Sequence, residues 1–198
     1  MKFTIAKDPI PFLIIDDTYN KEEQILIGRE IDFLSSKLLG PEKTSSATGI
    51  NSEIKKNTGI FLDEAYLNRS ISDILQVNRK IFSLEVLDKL SECHYAYNGF
   101  KSVNKDTTLL TYYDDEGSYF NHKDEAAFSV VTWFYKEPRN FTGGDFIFSD
   151  YNLNIEVKNN RTVIFFSSYI HEVTKVSLIH KEVPYSGRFT ISQFCKII

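Results

Sequence analysis

Four histidines stand at positions 94, 122, 171 and 180 of the 198-residue chain, and His122 is followed two positions later by a carboxylate, Asp124. Residues two apart on an extended strand point to the same face, so this pair can converge on one point. One neutral imidazole and one carboxylate make two thirds of the 2-His-1-carboxylate set, which covers one side of an Fe(II) ion and leaves three positions open. His171, just after Tyr169-Ile170, can supply the second imidazole. A His-x-Asp pair alone is a weak signal, arising by chance in roughly a quarter of chains with this histidine content. His94 and His180 have no carboxylate partner at ligand spacing and are read as structural.

A second chemical signal lies near the C-terminus. Gly187-Arg188-Phe189-Thr190-Ile191-Ser192 sets an arginine in an apolar strand. Arg188, Thr190 and Ser192 share one face there, a guanidinium beside two hydroxyls. A buried guanidinium needs a partner, and its forked donors suit a carboxylate held by two hydrogen bonds. The strand contains no Asp or Glu. The carboxylate therefore comes either from a remote acidic residue or from a small-molecule cosubstrate.

The elements that must position these residues fall into two textures, changing near residue 100. Pro11-Phe12-Leu13-Ile14-Ile15 reads as a buried strand, followed by Asn20 and Glu23 at reciprocal capping-box positions. Ile25, Ile27, Ile31, Leu34 and Leu38 recur at roughly helical spacing behind that cap, up to Gly40-Pro41. A second helical stretch is predicted over 70–91, and a polar loop over 43–58. Beyond residue 100, strands are predicted at 108–113, 119–124, 128–135, 145–149, 153–157, 162–166, 171–178 and 188–194, with Gly143-Gly144 and Asn159-Asn160 as turns. The expected architecture is α+β, a double-stranded β-helix (jelly roll) with N-terminal helices packed on one sheet. It reads as a single domain over 1–198, in which 1–100 is helical support with an opening strand and 101–198 is the β core.

Composition agrees with that outline. Phe (16) and Tyr (11) are abundant, and the two cysteines, Cys93 and Cys195, form no C-x-x-C, which excludes a disulfide framework and a cysteine-based zinc site. The net charge of −4 speaks against a nucleic-acid partner. No apolar run approaches membrane-spanning length, so a soluble, cytoplasmic protein is expected. The oligomeric state is left open.

The ordered set Tyr113-x3-Gly117-x-Tyr119-x2-His122-x-Asp124, Gly143-Gly144-Asp145, His171-Glu172-Val173 and Gly187-Arg188-x-Thr190 resembles the Fe(II)/2-oxoglutarate-dependent dioxygenases. Within them it is most similar to the prolyl-4-hydroxylase-like branch, over roughly residues 108–194. The resemblance implies Fe(II) on His122, Asp124 and His171, and 2-oxoglutarate as cosubstrate with Arg188 on its distal carboxylate and Thr190 nearby. It implies a tyrosine on the same carboxylate: Tyr113 fits the usual register, and a one-residue slip would substitute Tyr112. Gly143-Gly144 would form the turn facing the distal half of the site. A longer hairpin than usual, from Lys175 to Ser186, precedes the basic residue. Arg188 is therefore assigned from its local pattern, ahead of Lys175 and Lys181 in more polar surroundings.

The implied activity uses O₂ and hydroxylates a C–H bond, releasing succinate and CO₂, with ascorbate as an accompanying reductant. The expected substrate is a prolyl residue in a protein or peptide, or a free amino acid. Phe165, Tyr135 and Trp133 are candidates for a dry wall around the metal. Asp114-Asp115-Glu116 reads as a solvated turn, or as a rim favouring a basic peptide. A non-catalytic metal-binding β-barrel, acting as sensor or scaffold, is the competing reading. A nucleic-acid demethylase is disfavoured because Gln193 and Phe194 stand where such enzymes carry a second arginine, and a halogenase because Asp124 occupies the halide position.

Overall fold

The computed structural model of the protein describes residues 1–44 and 54–198. In the N-terminal half it contains β1 (Lys2–Ala6), β2 (Phe12–Asp16), α1 (Lys21–Ser35), β3 (Lys55–Lys56), β4 (Thr58–Phe61), α2 (Leu62–Ala65), α3 (Asp73–Val77) and α4 (Leu84–Cys93). The C-terminal half contains β5 (Lys105–Tyr113), β6 (Ser118–His122), β7 (Phe128–Phe134), β8 (Phe141–Gly143), β9 (Phe146–Phe148) and β10 (Leu153–Ile155). It continues with β11 (Arg161–Phe166), β12 (His171–Val173), β13 (Val176–Leu178) and β14 (Arg188–Lys196). A seven-stranded sheet runs β1-β2-β11-β7-β14-β5-β4, and a five-stranded sheet runs β10-β9-β12-β6-β3. The β13-β8 pair forms a small third sheet. The two larger sheets enclose the site as a double-stranded β-helix.

Strand alternation sorts the large sheet into two faces. Every residue of β7 is buried, as in a strand covered on both sides. Val131, Trp133, Val163 and Phe165 point inward and pack with Phe146 and Phe148 of the smaller sheet. The alternate set, Leu110, Tyr112, Phe134, Phe189 and Ile191, shares a buried cluster with Ile27, Ile31 and Leu34 of α1. Val130, Ile164 and Leu13 share another with Val86 and Leu90 of α4. Truncating a buried aromatic to alanine costs about 3–5 kcal/mol, so this double coverage holds the sheet geometry tightly.

Several local expectations are met and several are corrected. The capping box forms, with Glu23 N–H donating to Asn20 Oδ1 (2.9 Å) and Asn20 N–H to Glu23 Oε2 (2.7 Å). The helix expected over 70–91 is broken into α3 and α4 by a 3-10 turn, Asn78–Phe82. Ser72 caps α3, its Oγ accepting from Leu75 N–H (3.1 Å), and extended backbone at Ser83 breaks the chain again before α4. The predicted 171–178 strand is two strands in different sheets, parted at Thr174-Lys175, where Gly144 N–H reaches Lys175 O (3.1 Å).

The predicted loop 43–58 is also revised. Residues 45–53 lie outside the described part, but Lys55–Lys56 joins the five-stranded sheet and Thr58 opens β4 in the seven-stranded one. The first hundred residues thus supply four strands, β1 to β4, where one was expected, and β8 was not anticipated either. Short, half-exposed strands such as β1 carry too little apolar periodicity to be recognised alone.

Candidate metal centre and anion pocket

β6 and β12 pair antiparallel with His122 opposite His171, which brings two imidazoles distant in sequence to a ring separation of 4.2 Å. Asp124 is not on the strand, because β6 ends at His122. Its place is fixed by its own N–H, which donates to Ser167 O (3.0 Å). Asp124 Oδ1 lies 3.9 Å from His122 Nε2, and Oδ2 lies 3.7 Å from His171 Nε2. One ligand atom from each of the three residues falls within 4.8 Å of the others.

Both imidazoles are oriented in the same way. His122 Nδ1 bonds Phe120 O (2.8 Å) and His171 Nδ1 bonds Tyr169 O (2.9 Å). A carbonyl only accepts, so each Nδ1 carries the proton and each Nε2 keeps its lone pair toward the shared point. Burial, reinforced by the neighbouring His171, lowers the His122 pKa to about 3. Its unfolded counterpart takes up a proton near pH 6.5, so the unfolded state binds more protons between those values. Stability of the metal-free protein should therefore fall as pH drops from about 6.5 towards 3. Thermal melts in chelator should show that slope and show it reduced in His122→Asn; an equal slope in the variant would refute the assignment.

The carboxylate and the ring walls have their own supports. Ser129 Oγ donates to Asp124 Oδ2 and sits 2.7 Å from Ser167 Oγ, both serines being buried. Tyr119 stacks on His122 with centroids 3.5 Å apart, while Phe146 and Phe165 lie 5.2 and 5.1 Å from the His171 ring. Of the three expected wall residues, Phe165 is in place. Trp133 instead lies over Arg188, and Tyr135 packs edge-on against Phe141, away from the histidines. Tyr119, although part of the ordered motif, and Phe146 were not expected in that wall. Tyr119 is three residues before His122, which on a regular strand puts it on the opposite face. The β6–β12 register shifts, with Val173 opposite Tyr119, and this bulge turns both residues to one side.

Arg188 is fully buried on β14. Its Nη1 donates to Gly144 O (2.6 Å), while Nε and Nη2, and the nearby Thr190 Oγ1, have no partner. Among the described residues no carboxylate forms an ion pair with it, so the remote-acid alternative finds no support there. Burial lowers the Arg188 pKa to about 10, which leaves it charged at neutral pH. The carbonyl it reaches depends on glycine: Gly144 has φ +67°, and a Cβ there would lie 2.8 Å from Val176 Cγ2.

Tyr113 is the register partner of Arg188, and its ring lies 5.1 Å from the guanidinium carbon. Tyr112 faces the α1 cluster instead, its hydroxyl bonded to Asp114 Oδ1 (3.1 Å). Lys175 and Lys181 pair at the surface with Glu116 and Asp115, so two acids of the 114–116 run are already neutralised. His94 caps a 3-10 turn by accepting from Ala96 N–H (3.3 Å), and His180 is exposed beside Glu182. Both cysteines are buried and free.

One cavity of about 50 Å³ is lined by His122, Asp124 and His171 together with Tyr113, Arg188 and Thr190. Lys55 and Asn57 also line it. Sequence reasoning missed both because they come from the region read as loop. Lys55 Nζ donates to Thr44 O (2.7 Å) and Oγ1 (3.1 Å), and burial lowers its pKa to about 8.

No protein-family model and no curated protein sequence matches the chain. Solved structures do. A Pseudomonas putida prolyl-4-hydroxylase aligns at a TM-score of 0.60 and 14% identity, covering 93% of this chain and 92% of its own. A 2OG-Fe(II) oxygenase family oxidoreductase from Burkholderia pseudomallei aligns at 0.58 and 12%, covering 94% and 86%. The viral collagen prolyl hydroxylase of Paramecium Bursaria Chlorella virus-1, solved as a 2OG complex, aligns at 0.53 and 14%, covering 98% and 99%. These likenesses establish the architecture: the chain has the double-stranded β-helix fold of the prolyl-4-hydroxylases and 2OG-Fe(II) oxygenases.

Proposed function

We propose that the protein is an Fe(II)- and 2-oxoglutarate-dependent oxygenase. It hydroxylates a C–H bond of a prolyl residue in a protein or peptide, or of a free amino acid, with release of succinate and CO₂. One observation carries this reading: a single cavity joins a two-histidine, one-carboxylate cluster to a fully buried arginine whose Nε and Nη2 are unpaired. A buried charge without a partner is costly, and a dicarboxylate is a ligand that can occupy both ends. The donor set suits Fe(II), and the orphaned guanidinium with the Thr190 hydroxyl suits a carboxylate.

On this reading His122, Asp124 and His171 hold the metal, and Arg188, Thr190 and Tyr113 hold the distal carboxylate. Iron with 2-oxoglutarate and O₂ supplies the oxidising power when bound. The chain keeps two Nε2 lone pairs presented and holds Asp124 through Ser129. It neutralises the anion with Arg188 and excludes water with Tyr119, Phe146 and Phe165. The names of the Pseudomonas and viral neighbours favour a peptidyl proline, and the net charge of −4 favours peptide over nucleic acid. No helix among the described residues is long and apolar enough to cross a membrane.

The test is incubation with Fe(II), 2-oxoglutarate, O₂ and ascorbate against proline-containing peptides and free amino acids. A mass gain of one oxygen, dependent on 2-oxoglutarate, is expected. Metal binding with no oxygen gain on any of them would favour the sensor or scaffold reading. Ser129→Ala should weaken Mn(II) binding by about 10–100-fold, the usual weight of a residue that orients a ligand. Unchanged affinity in a metal titration would show that Asp124 is held without it.

A further inference from the structure

Asn57 is the polar group the reading above leaves unexplained. It is 7% exposed and lines the cavity, yet neither its Nδ2 nor its Oδ1 has a hydrogen-bond partner. Buried side-chain amides are nearly always satisfied, so an orphaned one facing a cavity indicates what the cavity takes. Its position is defined by register. Thr58 pairs with Tyr112, so Asn57 falls beside Tyr113, which in turn pairs with Arg188. Asn57, Tyr113 and Arg188 therefore stand in one row across three adjacent strands. The Tyr113 hydroxyl is within reach of the Asn57 and Thr111 side chains, close enough for Asn57 to favour the ionised phenol but without hydrogen-bond geometry between them.

A carboxylate offers about four lone-pair positions. The Arg188 fork takes one on each oxygen, and Thr190 Oγ1 takes a third. Tyr113 and Asn57, neighbours in the row, share the fourth. An Asn amide has two protons, one for the Tyr113 hydroxyl oxygen and one for the anion.

Building on the function proposed above, we infer that Asn57 is a further cosubstrate-binding residue, donating through Nδ2 to the distal carboxylate of 2-oxoglutarate. It comes from the N-terminal half, where the chain crosses from β3 in one sheet to β4 in the other. The same hydrogen bond thus fastens that crossing to the bound ligand.

The experiment titrates 2-oxoglutarate into the Mn(II)-loaded full chain by calorimetry, for the wild type, Asn57→Leu and Asn57→Asp. A hydrogen bond to a charged group corresponds to about 10–100-fold in affinity, so Asn57→Leu should bind that much more weakly. Asn57→Asp, which turns a carboxylate towards the anion, should bind more weakly still. Mn(II) affinity should be unchanged in Asn57→Leu, a pattern that general damage to the fold would not give. Hydrogen exchange at residues 58–61 should slow on adding 2-oxoglutarate to the wild type and not to Asn57→Leu. Equal 2-oxoglutarate affinity in the wild type and both variants overturns the inference alone. Absence of 2-oxoglutarate binding to the Mn(II)-loaded wild type overturns the inference together with the function it rests on.

Discussion

Alanine at His122, Asp124 or His171 should abolish metal binding and, with it, 2-oxoglutarate turnover. The expected loss in each case exceeds the roughly 10–100-fold attached to residues that only orient ligands. The three ligand atoms lie within 4.8 Å of one another, and each histidine has its Nδ1 committed to a carbonyl, so no second nitrogen can substitute. Asp124→Asn should also fail, because the neutral amide removes the one negative charge in the set. Mn(II) titration of the metal-free variants is the check. Retention of wild-type affinity by any one of them would remove that residue from the centre.

Arg188→Met should separate binding from stability. Removing one partner of a buried ion pair costs about 3–5 kcal/mol, so 2-oxoglutarate affinity should fall by about 10²–10⁴-fold. The metal-free, ligand-free variant should be as stable as the wild type or more so. It loses one hydrogen bond, to Gly144 O, but no longer desolvates a charge with two unpaired nitrogens. Arg188→Lys should bind at an intermediate level, since an ammonium keeps the charge without the planar fork. Calorimetry and thermal melts on the three proteins decide it. An Arg188→Met protein that is strongly destabilised yet binds 2-oxoglutarate normally would make the arginine a structural residue.

The site was readable from the sequence to the extent that its residues lie in local patterns. His122-x-Asp124 and Gly187-Arg188-x-Thr190 are contiguous motifs, and the structure places them in one cavity. The choice between Tyr112 and Tyr113 needed the strand register, which shows Tyr112 in the α1 cluster. Tyr119 stacks on His122 only because of a bulge, and a bulge leaves no mark in alternation. Asp124 reaches its place through a loop hydrogen bond to Ser167, a residue more than forty positions away. Lys55 and Asn57 lie in a two-residue strand and at a sheet crossing. Neither is long enough to display a period.

In the α-helical half, the capping box identified α1 from four residues, whereas apolar spacing across 70–91 concealed the restarts at Ser72 and Ser83. Periodicity reports which face is apolar; it does not report where a serine interrupts the backbone.

The central claim is that the cavity couples 2-oxoglutarate to O₂ at a metal, and succinate formation measures it most directly. The purified chain, supplied with Fe(II), 2-oxoglutarate, O₂, ascorbate and a set of proline-containing peptides and amino acids, should form succinate. That succinate should require both Fe(II) and O₂ and should disappear in His122→Ala and Arg188→Met. A wild-type protein that binds metal and 2-oxoglutarate and yet forms no succinate with any of these substrates is not a 2-oxoglutarate-dependent oxygenase.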